Sequence, residues 1–143
     1  MLFDLIVVTK RKRKDFSSII KNFFILSNQT NDIKCNIPLS TVFIHGAIGT
    51  VISKYAKLGK HCIISHNVTI GVRHRGYPVL ENYVIVRGNA VIIGAIRIGH
   101  HSIIGAGSVV LHDVDPYSVV VGNPAKCVKK ITDEEYKNYQ YGE

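Results

Sequence analysis

From Leu58 onward an aliphatic residue returns every six positions. The series runs Leu58, Ile64, Ile70 and, after one longer interval, Leu80, Val86, Ile92, Ile98, Ile104 and Val110. A period of six fits neither the 3.6 residues of a helix nor the plain alternation of a strand. It fits a short strand plus a turn, repeated, and the physical solution is a parallel β-solenoid. Three units close a triangular coil of about eighteen residues, and coils stack about 4.8 Å apart through backbone hydrogen bonds. The aliphatic residue of each unit points into the prism and rests on its counterpart one coil away.

Other columns keep the same period. The residue after the aliphatic is Gly at Gly59, Gly71, Gly99 and Gly105, which reads as a corner glycine accepting positive φ. The fourth position on is small or aliphatic, from Cys62 and Val68 to Ser108 and Val114. The fifth is β-branched at Ile63, Thr69, Ile85, Val91, Ile103 and Val109, as flat faces favour. One interval breaks the rule. In "IGVRHRGYPVL" the two aliphatics, Ile70 and Leu80, are ten apart. The extra residues bulge at a corner and include Arg73, His74, Arg75 and Tyr77. Loops on a rigid scaffold are where function concentrates.

A length of 143 residues suits one domain, and 46% hydrophobic with 20% charged residues is a globular balance. The formal net charge of +8 favours anionic partners. Nucleic acid is not expected, because no motif or aromatic platform for it is present. No run approaches the length of a membrane span. In "MLFDLIVV" an acid interrupts the apolar start and the basic run follows it, the wrong order for a signal peptide, so a cytoplasmic protein is expected. Cys35, Cys62 and Cys127 are odd in number and unpaired in spacing, which reads as buried free thiols rather than disulfides or a zinc site.

The chain divides into an N-terminal segment (1–32), a solenoid (33–130) with a loop insertion at 71–79, and a C-terminal helix and tail (131–143). In "DFSSIIKNFFIL", Phe16, Ile19, Ile20, Phe23 and Phe24 have helical spacing, with Asp15 as N-cap. The run Lys10 to Lys14 before it is either a solvated segment or a peripheral contact with an anionic membrane. Thr132 and Glu135 have the spacing of a capping box, which predicts a short last helix.

The pattern, "IGHHSIIGAGSVV" above all, resembles the hexapeptide-repeat acyltransferases over roughly Ile33 to Lys130. The resemblance implies an all-β fold, a left-handed parallel β-helix, against the usual right-handed crossover. "IHGAIGTVIS" (Ile44 to Ser53), followed by "AKLGKHCIISHNVTIG", is similar to the serine acetyltransferases and the related O-acetyltransferases of sugars and polysaccharides. So is "VVVGNPAKCVKK" (Val119 to Lys130). It implies acetyl-CoA as co-substrate, no metal, a homotrimer with sites between prisms, and His45 as general base on an acceptor hydroxyl. Asp32, the only acid between Asp15 and Glu81, is the candidate to orient that imidazole. His66, His74, Tyr77, Arg73 and Arg75 are the candidate acceptor contacts. Gly88, Asn89 and the "GAGS" of Gly105, Ala106, Gly107 and Ser108 would border the pantetheine arm. Asn123 and Pro124 would line the coenzyme A groove, and Lys126, Lys129 and Lys130 would meet its phosphates.

The chain also departs from the serine enzymes. Where their loop carries a second histidine before its Pro, this chain has Tyr77, and the coil before His45 is shortened. A sugar or surface-polysaccharide hydroxyl is therefore the expected acceptor, with serine as the alternative. Two readings of other classes stand beside it. One is a carbonic-anhydrase-like zinc enzyme using His61, His66 and His101. The other is a non-catalytic β-helix that binds a sugar or a partner.

Overall fold

A computed structural model describes residues 32–140 except Arg75. The expected helix around Phe16–Phe24, its cap Asp15, the run Lys10–Lys14 and the side chain of Arg75 lie outside the described residues. The solenoid is present as a three-sided parallel β-helix of about four coils. Its first face stacks β1 (Asp32–Ile33), β3 (Val51–Ile52), β6 (Thr69–Gly71), β9 (Val91–Ile93) and β12 (Val109–Val110). Its second face stacks β4 (Lys57–Leu58), β7 (Val79–Leu80) and β10 (Arg97–Ile98), with one further bridge from Ile98 to Val114. The third stacks β2 (Val42–Phe43), β5 (Ile63–Ile64), β8 (Ile85–Val86), β11 (Ile103–Ile104) and β13 (Ser118–Gly122). A last strand, β14 (Ala125–Lys130), folds back antiparallel on β13. The shortened coil before His45 has strands on the first and third faces, and a turn at Pro38–Thr41 in place of one on the second.

Register explains the six-residue period. Ile52, Ile70, Ile92 and Val110 lie over one another on the first face. Phe43, Ile64, Val86, Ile104 and Val120 do so on the third. The column two residues before each aliphatic, Cys62 to Ser108, is buried as well. Each strand therefore points in, out and in again, and the β-branched column is the outward one. Two inward serines are matched to backbone. Ser102 Oγ donates to Asp115 O at 2.9 Å, and Ser108 Oγ accepts from Gly122 N at 3.3 Å.

The corner glycines serve a different purpose from the one their spacing predicts. Gly59, Gly71, Gly99 and Gly105 are not among the positive-φ residues. At three of them, space is the constraint. A Cβ on Gly59 would lie 2.4 Å from the Glu81 carbonyl carbon, one on Gly99 2.3 Å from Pro116 N, and one on Gly105 2.6 Å from a Val121 methyl. Stacked coils leave no room for a side chain there. The left-handed residues come two positions later: His61, Tyr83, His101 and Tyr117 at one corner, Asn67, Asn89 and Gly107 at another.

The first of those sets forms a ladder between the second and third faces. His61 stacks on Tyr83 (4.9 Å between centroids), Tyr83 on His101 (4.7 Å) and His101 on Tyr117 (4.9 Å), all within 18° of parallel. The C-terminal helix α1 (Asp133–Gln140) closes against it. Tyr136 meets His101 edge-on and donates its hydroxyl to Tyr83 O at 2.6 Å. The capping box forms: Glu135 N donates to Thr132 Oγ1 at 3.3 Å and Thr132 N to Glu135 Oε2 at 3.0 Å. With Ile131, the helix covers the outward Ile85 and Ile103 of the third face.

This docking should respond to acid. Burial and the neighbouring His100 both hold His101 below its ordinary value, against a smaller pull upward from Asp133. The Nδ1 atoms of His100 and His101 are 3.0 Å apart, so one ring must accept while the other donates. A depressed folded-state value means that the neutral form is the stabilising one. Its contribution is complete above about pH 6.5 and is lost as pH falls through the folded value. The melting temperature should therefore drop between pH 7.5 and 5.5, and drop less in His101→Phe. Equal acid sensitivity in the two proteins would refute this account.

The insert leaves the stack intact. Ile70 and Leu80 are successive inward residues, both buried. The loop closes on itself through Arg73 and Gly76, which exchange backbone hydrogen bonds of 3.3 Å, and Gly76 sits hard against Ala95. The three thiols are free, but Cys127 is exposed and Cys35 half-buried, against the expectation of three buried ones. Cys127 lies on β14, beyond the last coil that could cover it. No helix among the described residues is long and apolar enough to cross a membrane.

Candidate functional site

The corner joining the third face to the first carries His45. After β2 the chain enters one 3-10 turn, Ile44–Ala47, with His45 and Ala47 at positive φ. These residues are extra to the six-residue unit, so His45 stands out as an exposed side chain. Thr50 Oγ1 ties the turn to the next coil by donating to Ser65 O at 3.2 Å. His66 occupies the matching corner of that coil. The two imidazoles meet edge to face, 5.4 Å between centroids and 76° apart.

The corner above His66 is built from small residues. A Cβ on Gly88 would lie 2.9 Å from His66 Cε1, so the glycine lets the ring lie against the next coil. His66 Nδ1 is buried without a hydrogen-bond partner among the described residues. Asn67 donates to Asn89 Oδ1 at 3.2 Å, and Gly107 N to Gly88 O at 2.9 Å. A Cβ at Gly107 would touch nothing. His45, His66, Gly88 and Ala106 thus climb one edge: two imidazoles, a buried glycine under the second of them, and then exposed backbone at Ala106 and Gly107. Ser108 belongs to the interior. Above it, Gly122, Asn123 and Pro124 turn β13 into β14.

Lys126 on β14 is exposed. Its neighbours are already engaged. Lys129 pairs with Glu135, and Lys130 Nζ donates to Ser118 Oγ at 2.7 Å and pairs with Asp115 at 3.2 Å. Exposed pairs of this kind contribute little to stability, and either lysine can exchange its partner for an anion. Asp32 opens β1 on the first face, across from Val51.

Arg73, His74 and Tyr77 stand at a different corner, between the first and second faces. A single chain therefore does not bring the insert to His45; the whole first face lies between them. His61 and His101 are in the aromatic ladder at the third corner, so with His66 they do not converge within the chain. Among the described residues no group of three His, Cys, Asp or Glu side chains could hold a metal ion.

The aliphatic period does not single out Tyr55, whose ring packs on Tyr77 at 5.0 Å. Nor does it single out the ladder. The signal for both is the third position after each inward aliphatic. That column places Tyr55 after Ile52, and His61, Tyr83, His101 and Tyr117 after Leu58, Leu80, Ile98 and Val114.

No protein-family model matches the chain. A serine acetyltransferase of Synechococcus elongatus is 40% identical over 91 residues, 61% of this chain and 37% of that protein. A chloramphenicol acetyltransferase of Klebsiella aerogenes is 48% identical over 61 residues, 42% of this chain and 29% of that protein. Among solved structures, the serine acetyltransferase of Neisseria gonorrhoeae superposes with a TM-score of 0.61 at 35% identity, covering 71% of this chain and 43% of that one. A serine acetyltransferase in complex with CoA superposes at 0.61 and 29% identity, covering 69% and 40%. The chain spans about two fifths of the length of the serine acetyltransferases it matches first. It is a left-handed hexapeptide-repeat β-helix whose coils are similar, in sequence and in fold, to those of the serine acetyltransferases.

Proposed function

We propose that the protein is an acetyl-CoA-dependent O-acetyltransferase with His45 as general base. The observation that carries the reading is the edge His45–His66–Gly88–Ala106, an exposed imidazole below the half-buried His66 and its buried glycine, with open backbone at Ala106 and Gly107. A neutral imidazole takes the acceptor's proton as the hydroxyl oxygen bonds to the thioester carbonyl carbon. When the tetrahedral intermediate collapses, the carbon–sulfur bond breaks and the proton passes from His45 to the departing thiolate. His66 supports the ring of His45 from one coil away. That open backbone suits a thin amide-bearing arm, because it is accessible and Gly107 leaves its side open. Lys126, with Lys129 and Lys130, offers cationic contacts to phosphates at the upper end.

Serine is the first acceptor to test, since relatives at 36–40% identity are serine acetyltransferases. A sugar hydroxyl is the second, resting on Tyr77 in place of the loop histidine. Thiol release from acetyl-CoA, measured with serine and then with sugar acceptors, discriminates them. No release with any acceptor would sink the reading.

The site calls for a second copy. Beyond Asp32 at its first register position, the row of the first face that runs through Val51, Thr69, Val91 and Val109 is uncharged, whereas the second face presents Lys57 and Arg97 and helix α1 covers part of the third. Packing through the first face buries that row, and both functional corners border it, so a homotrimer unites the insert of one copy with His45 of another. Val91→Lys should dissociate the trimer to monomer in sedimentation and abolish turnover while the coil stays folded. A wild-type protein that sediments only as monomer would refute the shared site.

A further inference from the structure

We propose that the corner between the first and second faces is a binding surface for an anionic pyranose, a sugar ring bearing a carboxylate. The inference deepens the sugar-acceptor reading of the proposed function and rests on it.

Three observations converge there. The rings of Tyr55 and Tyr77 pack 5.0 Å apart at 58°, and Tyr55 is 60% exposed. Tyr77 is half-buried, so the pair spans two successive coils with one ring, Tyr55, left to solvent, where it adds nothing to the core. A pyranose matches this pair, since the axial C–H groups of one sugar face are apolar and lie flat on an aromatic ring while its hydroxyls stay at the rim. The rim is polar and cationic. An open cleft of about 400 Å³ beside Tyr55 is lined by Asn36, Lys54 and Lys57, and Lys54 Nζ lies over one face of the Tyr55 ring, 5.5 Å from its centre.

The third observation is charge segregation. From Ile33 to Leu80 the sequence has no Asp or Glu, and of the basic residues in that run Lys54, Lys57 and Arg73 stand at or beside this corner. Such a one-signed field selects an anionic ligand over a neutral one of equal shape. An acid stands at each end of this run: Asp32, which opens β1, and Glu81, which is already held by Arg97 and accepts from His100 N at 2.7 Å. Free serine has no apolar face to set on two tyrosines, which makes this corner a device for a larger acceptor.

The test uses the intact protein without acetyl-CoA. Saturation-transfer NMR and titration compare methyl glucuronide with methyl glucoside at low and high salt. The glucuronide should bind at least about fivefold tighter at low salt, an advantage that shrinks at high salt. Tyr55→Ala and Tyr77→Ala should each weaken it about tenfold, with melting temperatures recorded to show that both variants fold. Tyr55→Phe should retain binding. Equal affinity for the two glycosides, binding unchanged in Tyr55→Ala, or no saturation transfer to either sugar would overturn the proposal. Thiol release answers separately for the transferase. Glycoside binding without thiol release with any acceptor would leave the surface standing and remove the enzyme, and thiol release without glycoside binding would do the reverse.

Discussion

His45→Ala should lower kcat by about 10²–10⁴-fold, the usual contribution of a positioned general base. KM for acetyl-CoA should change little, because the backbone that would hold its arm is the exposed Ala106 and Gly107, above the His45 coil. The variant should also fold, since His45 is exposed and its ring meets the ring of His66 only edge to face. A base works only when unprotonated, so wild-type turnover should fall away in acid and the variant should lack that limb. His66→Ala should cost less than His45→Ala, because His66 is half-buried and acts on the reaction through its neighbour or the acceptor. Retention of full turnover by folded His45→Ala, with loss in His74→Ala, would move the base to the insert.

Ile92→Ala should destabilise the protein by about 2–5 kcal/mol, the cost of a lost side chain plus the cavity it leaves. Ile92 is fully buried and lies between Ile70 and Val110 on the first face. In a solenoid each coil touches only its neighbours, so a gap at one level is not closed by movement from elsewhere. Lys57→Ala, on the outward side of the second face, should change stability by less than about 0.5 kcal/mol. Denaturant unfolding of the two variants side by side measures the contrast. Equal losses would mean that the inward column does not carry the stability.

The prism was legible before any coordinates. Its period is a direct imprint of register: a residue that must rest on its counterpart in the next coil returns at a fixed interval, and Leu58 to Val110 obey that rule. The insert between Ile70 and Leu80 was legible for the same reason. The corner glycines were legible as positions but not in their cause. Whether Gly99 answers to a dihedral or to Pro116 one coil away depends on packing between residues distant in sequence. The ladder of His61, Tyr83, His101 and Tyr117 escaped a reading built on aliphatics, because mixed aromatic residues share no type, only a corner.

Sequence by itself determined the six-residue repeat, the three-sided coil, the place of the insert and, through likeness of motif, His45 as the residue to test. Those are local or periodic properties, and a single chain carries them in order. Tertiary structure alone decided which residues meet. It set His66 against His45 and Gly88 against His66, and it bound Lys129 and Lys130 to Glu135, Asp115 and Ser118. It also put the insert at a corner one whole face away from His45. The reason is geometric: a coil of about eighteen residues turns through three directions, so nearness along the chain says little about which edge of the prism a side chain will share.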